Sequence, residues 1–227
     1  MRTLFLKPII LFIFLVSMVA CKQALFTGAE RDLIHNGGEE APFDVLTILN
    51  DEDVEKLRNV SEDIPLQFDD TTLQLLLKKL SITLKAANGV GIAAPQVGIN
   101  KNIFLFIRLD LPDEPVITVI NPKIVRHPIE TVCFEGDGCL SIPGFSGNSV
   151  RYPWVEVEYY TENGEPVRER LEGYSRQDTF SAVIFQHEYD HLQGVLFTDK
   201  RCDAPDSDGE KDDFDNHFDS DCEDDDF

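Results

Sequence analysis

The stretch QHEYDHLQG, residues 186–194, determines how this chain folds, because it ends an apolar helix that also carries two histidines. We predict this helix over residues 178–193, with a start near Asp178 or Thr179. A stripe at helical spacing faces inward in an amphipathic helix, so both imidazoles are expected in the interior. Four residues form the stripe, at spacings of four, three and four: Phe180, Ile184, His187 and His191.

Two histidines one helical turn apart can hold one metal ion. Glu188, next to His187, is then placed to accept a proton from a water molecule. The alternative is a core helix whose histidines are only hydrogen-bonded. A catalytic site needs a third protein ligand, and His217, the only later histidine, lies within an acidic tail. The third ligand is therefore expected upstream.

Cys139 is the candidate for that ligand. It lies in DGCLSIPG, residues 137–144, directly after Gly138, which permits a close backbone approach. A thiolate is a strong metal ligand, and Cys–His–His leaves a fourth position open for water. The alternative is a small buried cysteine, which is common in protein cores.

A glycine-rich turn, GVGIAAPQVG at residues 89–98, follows a predicted helix. Its glycines allow a ligand to approach the backbone, and Gln96 offers a side-chain N–H donor. The glycine spacing does not match a phosphate-binding loop. Taken alone, this turn is a weak signal.

The remaining elements predict an α+β fold in which mixed or antiparallel sheets pack around the central metal-binding helix. A helix is expected within residues 69–89, where Asp69, Asp70 and Thr71 are cap candidates. Its apolar stripe consists of Leu73, Leu76, Leu77, Leu80 and Leu84. Strands are predicted at residues 102–107, 116–120 and 154–160, the last turning at Asn163-Gly164 into a returning strand.

Charge excludes one class of partner. The 227 residues carry a formal net charge of −22, which argues against a nucleic acid, since phosphates attract Lys and Arg. Residues 203–227 contribute thirteen acidic residues and one lysine. This tail is predicted to be disordered.

The N-terminus has the pattern of a targeting segment. A basic start precedes thirteen apolar residues, 8–20, which are too few for a comfortable membrane span and typical of a signal-peptide core. We predict a signal peptide over residues 1–21 that ends in a lipobox-like Cys21, a tether over 22–40 and a catalytic domain over 41–202. An ordinary cleaved signal or an uncleaved anchor are the alternatives.

The five cysteines are too few and too widely spread for a small disulfide scaffold. Cys202 and Cys222 flank the acidic tail. They form a pair if the compartment is oxidising. The alternative, which we favour slightly, is that both are free thiols.

Together, and in this order, three segments resemble the peptide deformylase family: GVGIAAPQVG, EGDGCLS and QHEYDHLQG. The resemblance covers residues 43–200. It implies that Cys139, His187 and His191 bind one divalent metal ion, most often Fe(II) in that family, whereas the ligand set also suits Zn(II) or Ni(II). It further implies a monomer that removes the formyl group from N-formyl-Met peptides.

The same resemblance implies a role for each remaining site residue. Glu188 would be the general acid and base. Gln96 and the backbone N–H of Leu140 would form the oxyanion hole. The peptide groove would be lined by Val90, Gly91 and Ile92.

Two features depart from the family pattern. Asp137 stands where the family has glutamate, which shortens a carboxylate expected to support Cys139, and Glu135 is a candidate to compensate. The N-terminal signal predicts a lipid-anchored protein of the cell envelope, whereas deformylases act on new chains inside cells; a cytoplasmic location is the alternative. Rival functions are a metallopeptidase with the same H-E-x-x-H chemistry and an envelope protein that only binds formyl peptides.

Overall fold

The computed structural model describes residues 24–177 and 179–203. The predicted signal peptide, Cys21, Asp178, Cys222 and the acidic tail after residue 203 lie outside this part of the chain. Within it, no helix is both long enough and apolar enough to cross a membrane.

Four α-helices and seven strands make up the described fold. The helices are α1 (Gly28–His35), α2 (Asp51–Leu57), α3 (Thr71–Ala86) and α4 (Ser181–Leu192), with short 3₁₀ helices at Ala94–Val97 and Phe197–Lys200. The strands are β1 (Gly91–Ala93), β2 (Ile103–Ile107), β3 (Val116–Arg126), β4 (Val132–Gly138), β5 (Ser146–Arg151), β6 (Trp154–Tyr160) and β7 (Pro166–Glu172).

The strands form two sheets, and all of their pairings are antiparallel. The larger has the order β1-β2-β3-β6-β7, and the smaller is the β4–β5 hairpin. This arrangement confirms the predicted α+β class.

Strand β2 lies at the centre of the core because both of its faces are buried. Ile103 and Leu105 belong to the apolar cluster that contains the leucines of α3, whereas Phe104 and Phe106 belong to the cluster that contains α4. Successive side chains of a strand point to opposite faces, so one short strand joins both halves of the core. The sheet therefore holds α4 in place from one side.

Helix α3 confirms the sequence prediction. Asp70 is its N-cap, and its carboxylate accepts hydrogen bonds from the backbone N–H groups of Thr72 and Leu73 at 2.9 and 3.1 Å. Asn88, just after the helix, has a φ of 51°, a left-handed conformation that asparagine tolerates. All five leucines of the predicted stripe are buried.

The predicted hairpin at the far edge of the larger sheet is also present. Strand β6 pairs with β7 from Trp154 opposite Glu172 to Tyr160 opposite Pro166. Gly164 in the connecting turn has a φ of 81°, which favours glycine. The alternation along β6 places Val155 and Val157 in the core.

The segment that we expected to be a tether is instead packed onto the domain. Leu25 and Phe26 are each only 4% exposed, and α1 begins with a capping box between Thr27 and Glu30. The buried Lys79 ammonium donates to the carbonyl oxygens of Ile34 and Asn36, near the end of α1. The T-x-x-E pattern at residues 27–30 is the sequence signal that the tether expectation overlooked.

The pairing of the cysteines also differs from both expectations. Cys202 forms a disulfide with Cys133, 69 residues earlier, so it is neither free nor bonded to Cys222. The Cys202 N–H also donates to the Asn148 carbonyl oxygen at 3.2 Å. These contacts fix the end of the described chain against the β4–β5 hairpin.

Candidate active site

Helix α4 presents an apolar side to the sheet and its histidines to a cleft. The Phe185 ring packs edge-on against Phe104, with ring centroids 5.0 Å apart. His187 follows two residues later, about 200° further around the helix axis, so its imidazole lies on the opposite side. His187 and Glu188 line a cleft of about 490 Å³.

Cys139 lies between β4 and β5, directly opposite this side of α4. Its Sγ lies 3.2 Å from Nε2 of His191. The ligand atoms of Cys139, His187 and His191 all lie within 4.8 Å of one another. The structure thus brings together the three residues predicted to hold a metal.

The electrostatics of this cluster favour a thiolate. Burial raises the pKa of the Cys139 thiol, but the positive charge and hydrogen bonds of His191 and His187 outweigh burial and hold that pKa well below its usual value. A thiolate, not a thiol, is the form that binds metals.

Asp137 orients one ligand histidine. Its Oδ1 lies 2.9 Å from Nδ1 of His187, which leaves Nε2 of that ring for the cluster. Its Oδ2 accepts from Ser149 Oγ at 2.5 Å and from an Arg151 Nη at 2.7 Å. Asp137 therefore supports His187, whereas we expected it to support Cys139. The Glu135 side chain is exposed, and it is Ser149 and Arg151 that hold the shorter carboxylate.

The chain of charged side chains that runs from His187 through Asp137 to Arg151 continues beneath the site. Arg151 is only 1% exposed, and its second Nη donates to Asp190 at 2.5 Å. Asp190 also accepts from Lys200 Nζ at 2.6 Å. A buried arginine between two carboxylates is stabilising only when its hydrogen bonds are satisfied, as they are here. Sequence reasoning missed Arg151, Ser149 and Lys200, because no local pattern marks partners so far apart in the chain.

Glu188 is buried against the glycine-rich turn. A Cβ atom at Gly91 would lie 2.6 Å from Glu188 Cδ and closer still to Oε1, so any larger residue there would displace the Glu188 carboxyl group. Burial raises the pKa of Glu188 to about 7, against the opposing charges of His187 and His191. Its Oε2 is buried and has no hydrogen-bond partner among the described residues. A buried acceptor without a partner is costly, which indicates that a water molecule or substrate binds there.

Gln96 is held with its amide N–H group toward the cluster. Its Oε1 accepts from the Ala93 N–H at 2.9 Å. Its Nε2 donates to Ser141 Oγ at 3.2 Å and lies 3.6 Å from Cys139 Sγ. The side chain can therefore donate to an atom bound beside the thiolate.

The predicted groove residues do not all lie in the cleft. Val90 and Gly91 line it, as does Leu140, which was predicted to belong to the oxyanion hole. Ile92 is fully buried in the core cluster that contains α3, so its side chain is not part of the groove wall. The cleft wall also includes residues that sequence reasoning did not assign to the groove: Phe134, Ile142, Phe145, Arg176, Phe180 and Val183.

The donor set fits a divalent metal ion. One thiolate and two imidazoles are ligands that suit Fe(II), Zn(II) and Ni(II), and they leave one coordination position open. His191 Nδ1 is buried and has no hydrogen-bond partner among residues 24–177 and 179–203. The other ring nitrogen of His191, Nε2, faces Cys139 Sγ within the cluster.

Comparison with known proteins agrees with this geometry. The family model for polypeptide deformylase matches residues 45–205. A peptide deformylase of Synechocystis sp. is 42% identical over 132 residues, which span 58% of this chain and 67% of that protein. One of Thermotoga maritima is 40% identical over 131 residues, spanning 58% and 73%.

Solved structures show the same fold. The crystal structure of the Thermotoga maritima peptide deformylase has a TM-score of 0.61 at 32% identity, and the match covers 72% of this chain and 99% of that one. A Synechococcus elongatus peptide deformylase in complex with actinonin has a TM-score of 0.60 at 36% identity, covering 71% and 80%. With a family model that matches most of its length and a Cys–His–His cluster in the cleft, this chain belongs to the peptide deformylase family.

Proposed function

We propose that this protein is a metal-dependent hydrolase that removes the formyl group from N-formyl-Met peptides and releases formate. One observation carries the proposal. Glu188, buried with an unpartnered Oε2, lies beside the Cys139–His187–His191 cluster in an open cleft. A site that only bound peptides, or only held a structural metal, would not need this carboxylate.

The proposed metal ligands are Cys139, His187 and His191. A metal ion held there supplies Lewis acidity, which lowers the pKa of a water molecule and polarises the formyl carbonyl. We propose Fe(II) as the ion, on the resemblance to the family, with Zn(II) or Ni(II) as alternatives.

Glu188 carries the proton through the reaction. Its carboxylate accepts a proton from the attacking water as the new C–O bond forms to the formyl carbon. The C–N bond then breaks, and Glu188 donates the proton to the departing amine. A pKa raised to about 7 suits a group that must both accept and donate near neutral pH.

Gln96 and Leu140 stabilise the charge that develops on the formyl oxygen. Gln96 Nε2 is fixed by the bond from the Ala93 N–H to its Oε1, so the donor is oriented before substrate arrives. Leu140 follows the ligand Cys139 and lines the cleft, where its backbone N–H is the proposed second donor. Oriented donors contribute most in a site that excludes water.

The decisive experiment replaces Glu188 by glutamine. The variant retains all three metal ligands, so it should bind metal and formyl-Met peptide like the parent. It should lose turnover by about 10²–10⁴-fold, the usual contribution of a general acid–base group. Metal content is measured beside formate release, with the matching unformylated peptide as a substrate control. Near-parental turnover of Glu188→Gln contradicts this mechanism, and cleavage of the unformylated peptide points to a peptidase instead.

We also propose that the protein is exported and lipidated at Cys21. The basic start, the apolar run and the Ala20–Cys21 junction support export. The Cys133–Cys202 disulfide supports it independently, because disulfides persist mainly in oxidising compartments. Leu25 is buried, and the four Cα-to-Cα steps from Cys21 to Leu25 span at most about 14 Å. A lipid on Cys21 would therefore hold the catalytic domain against the membrane surface.

Labelling with palmitate in a bacterial host tests this location. The full chain should take up label and sediment with membranes, whereas Cys21→Ala should do neither. Cys222→Ala is a matched control, because it removes another cysteine but leaves both the N-terminus and the Cys133–Cys202 disulfide intact. Equal labelling of the parent and Cys21→Ala excludes lipidation at Cys21.

A further inference from the structure

Arg176 is the only lysine or arginine among the described residues that line the cleft. It lies between β7 and α4 and is exposed. The chain as a whole carries a net charge of −22. Because the protein is so acidic overall, a single cationic side chain in the cleft can select substrates by their charge.

The Arg176 guanidinium is held in a defined position. Its Nε and one Nη donate to the carbonyl oxygens of Glu135 and Gly136, at 3.3 and 2.6 Å. Its central carbon lies 5.4 Å from the ring centroid of Phe134 and 5.0 Å from that of Phe180. Both rings line the same cleft. Cation–π contacts with two rings and two backbone acceptors orient the group before a ligand arrives.

Its charge is available to a ligand. Within residues 24–177 and 179–203, no carboxylate forms an ion pair with Arg176. The two carboxylates in the cleft wall have other contacts: Asp137 forms an ion pair with Arg151, and Glu188 is buried against Gly91. Backbone carbonyls accept two of the five guanidinium N–H groups, and the others suit a carboxylate.

Distance limits which carboxylate Arg176 can meet. Gly136, whose carbonyl Arg176 contacts, is three residues before Cys139, and three residues span at most about 10 Å. In an extended peptide, the C-terminal carboxylate of the second or third residue lies roughly 7–10 Å from the formyl carbon. The carboxylate of such a short peptide falls within the reach that this bound allows, whereas that of a longer extended chain lies beyond it.

We infer that Arg176 is a specificity-determining residue that binds the free C-terminal carboxylate of formyl-Met dipeptides and tripeptides. The inference rests on the proposed deformylase function. It gives the enzyme a preference for short released peptides over the N-terminus of a long chain, whose carboxylate lies far from the cleft. Such peptides are also the substrates that an exported enzyme can meet.

The test uses the metal-loaded full chain and two substrates, formyl-Met-Ala as the free acid and as the C-terminal amide. The readout is the ratio of their kcat/KM values, which cancels any loss of folded or metal-loaded protein. Arg176→Gln should lower the acid-to-amide ratio about three- to tenfold. This loss lies between the usual contribution of an exposed ion pair and that of a charge-assisted hydrogen bond. The loss should lie in KM, because the carboxylate contact is the same before and during reaction.

Two further variants make the result specific. Arg176→Lys retains the charge and should retain part of the preference. Arg170→Gln is the matched control. The Arg170 guanidinium lies 3.9 Å from the centroid of the Trp154 ring, a cation–π contact like those of Arg176, but Arg170 does not line the cleft. Arg170→Gln should keep the parental ratio, and added salt should lower that ratio only while Arg176 is present.

The outcomes separate the inference from the function on which it rests. If Arg176→Gln keeps the parental ratio, or loses acid and amide turnover equally, Arg176 is a structural contact and the inference is wrong. If the parent releases formate from the acid and the amide with equal kcat/KM, the proposed function holds and the inference about Arg176 is wrong. If the parent releases formate from neither substrate, the proposed function fails and the inference fails with it.

Discussion

At the scale of single residues, the site depends on two close fits: glycine against a carboxylate, and aspartate against a histidine. Gly91 leaves just the space that the Glu188 carboxyl group occupies. Asp137 holds His187 from one side while Ser149 and Arg151 hold Asp137 from the other. Adding one methyl group at Gly91 would disrupt the first contact. Replacing the Asp137 carboxylate by an amide would disrupt the second.

Gly91→Ala should abolish most of the activity without removing the metal. The added Cβ would overlap the Glu188 carboxyl group and displace it from the cluster, while all three ligands remain. We expect a loss comparable to that of removing a general base, about 10²-fold or more, in formate release at unchanged metal content. Gly28→Ala is the control, since a Cβ there has no neighbour within 4 Å. Equal activity of the two variants would show that Glu188 tolerates displacement.

Asp137→Asn should weaken metal binding while leaving the fold intact. Asparagine has nearly the same shape but lacks the charge that holds His187 and Arg151, so about 10- to 100-fold in metal affinity should be lost. Competition with a chelator measures this affinity. Lengthening the side chain, as in Asp137→Glu, should also weaken binding, because Ser149 and Arg151 already occupy the space around the shorter carboxylate. Tighter metal binding by Asp137→Glu would mean that this pocket can expand.

At the scale of elements, ion pairs connect strands that are far apart in the sequence. Arg108, just after β2, forms a two-point pair with Asp110, at 2.8 and 2.7 Å, and donates to Glu169 of β7 at 2.7 Å. The hydrogen bond from Arg108 lowers the pKa of Asp110 to about 2. The contact with Glu169 links the two strands, and the contact with Asp110 responds to acid.

Acid should selectively remove this contribution. Because the folded-state pKa of Asp110, about 2, lies below its unfolded value of about 3.9, the stabilisation is complete only above about pH 5 and is lost progressively as the pH falls through the folded-state pKa. Asp110→Asn should cost roughly 1 kcal/mol at pH 6, after solvent screening, and almost nothing near pH 2. Urea unfolding at both pH values measures the difference. Asp32→Asn, at an exposed residue of α1, should show no such pH-dependent gap; if it does, the effect comes from general charge and not from this pair.

At the scale of the whole molecule, one covalent bond closes the fold around the site. The Cys133–Cys202 disulfide joins the start of β4, which leads to Asp137 and Cys139, to the segment after the last 3₁₀ helix. Lys200, the last residue of that 3₁₀ helix, pairs with Asp190 beneath the cluster. The bond therefore fixes the polar chain that supports the ligands.

Removing the disulfide should destabilise the domain but spare its chemistry. A closed loop of 69 residues implies about 4 kcal/mol of stabilisation, chiefly through the unfolded chain. The Cys133→Ser/Cys202→Ser double variant should unfold at lower urea, and a reductant should shift the parent to the same midpoint without affecting the variant. Metal content should stay unchanged, because neither cysteine is a ligand. A parent that ignores the reductant would contradict a role of this bond in stability.

Several features of this protein follow from local sequence alone. The period of α3, its Asp70 cap, the alternation along β6 and the Asn163-Gly164 turn are set by neighbours in the chain. So is the spacing of His187 and His191, because a helix turns every 3.6 residues and places them on one side. Cys139 could be named as the third ligand from its residue type, the preceding glycine and the family resemblance, but tertiary packing brought it beside the histidines.

What only the tertiary structure decided are contacts between distant segments. Cys133 with Cys202, Arg151 with Asp137 and Asp190, Arg176 in the cleft wall and Ile92 in the core all depend on how the sheets and α4 pack. Local patterns show which face of an element is apolar but not which element covers it, because burial is set by packing across the whole core. The same packing placed α1 on the domain, where composition alone had indicated a tether.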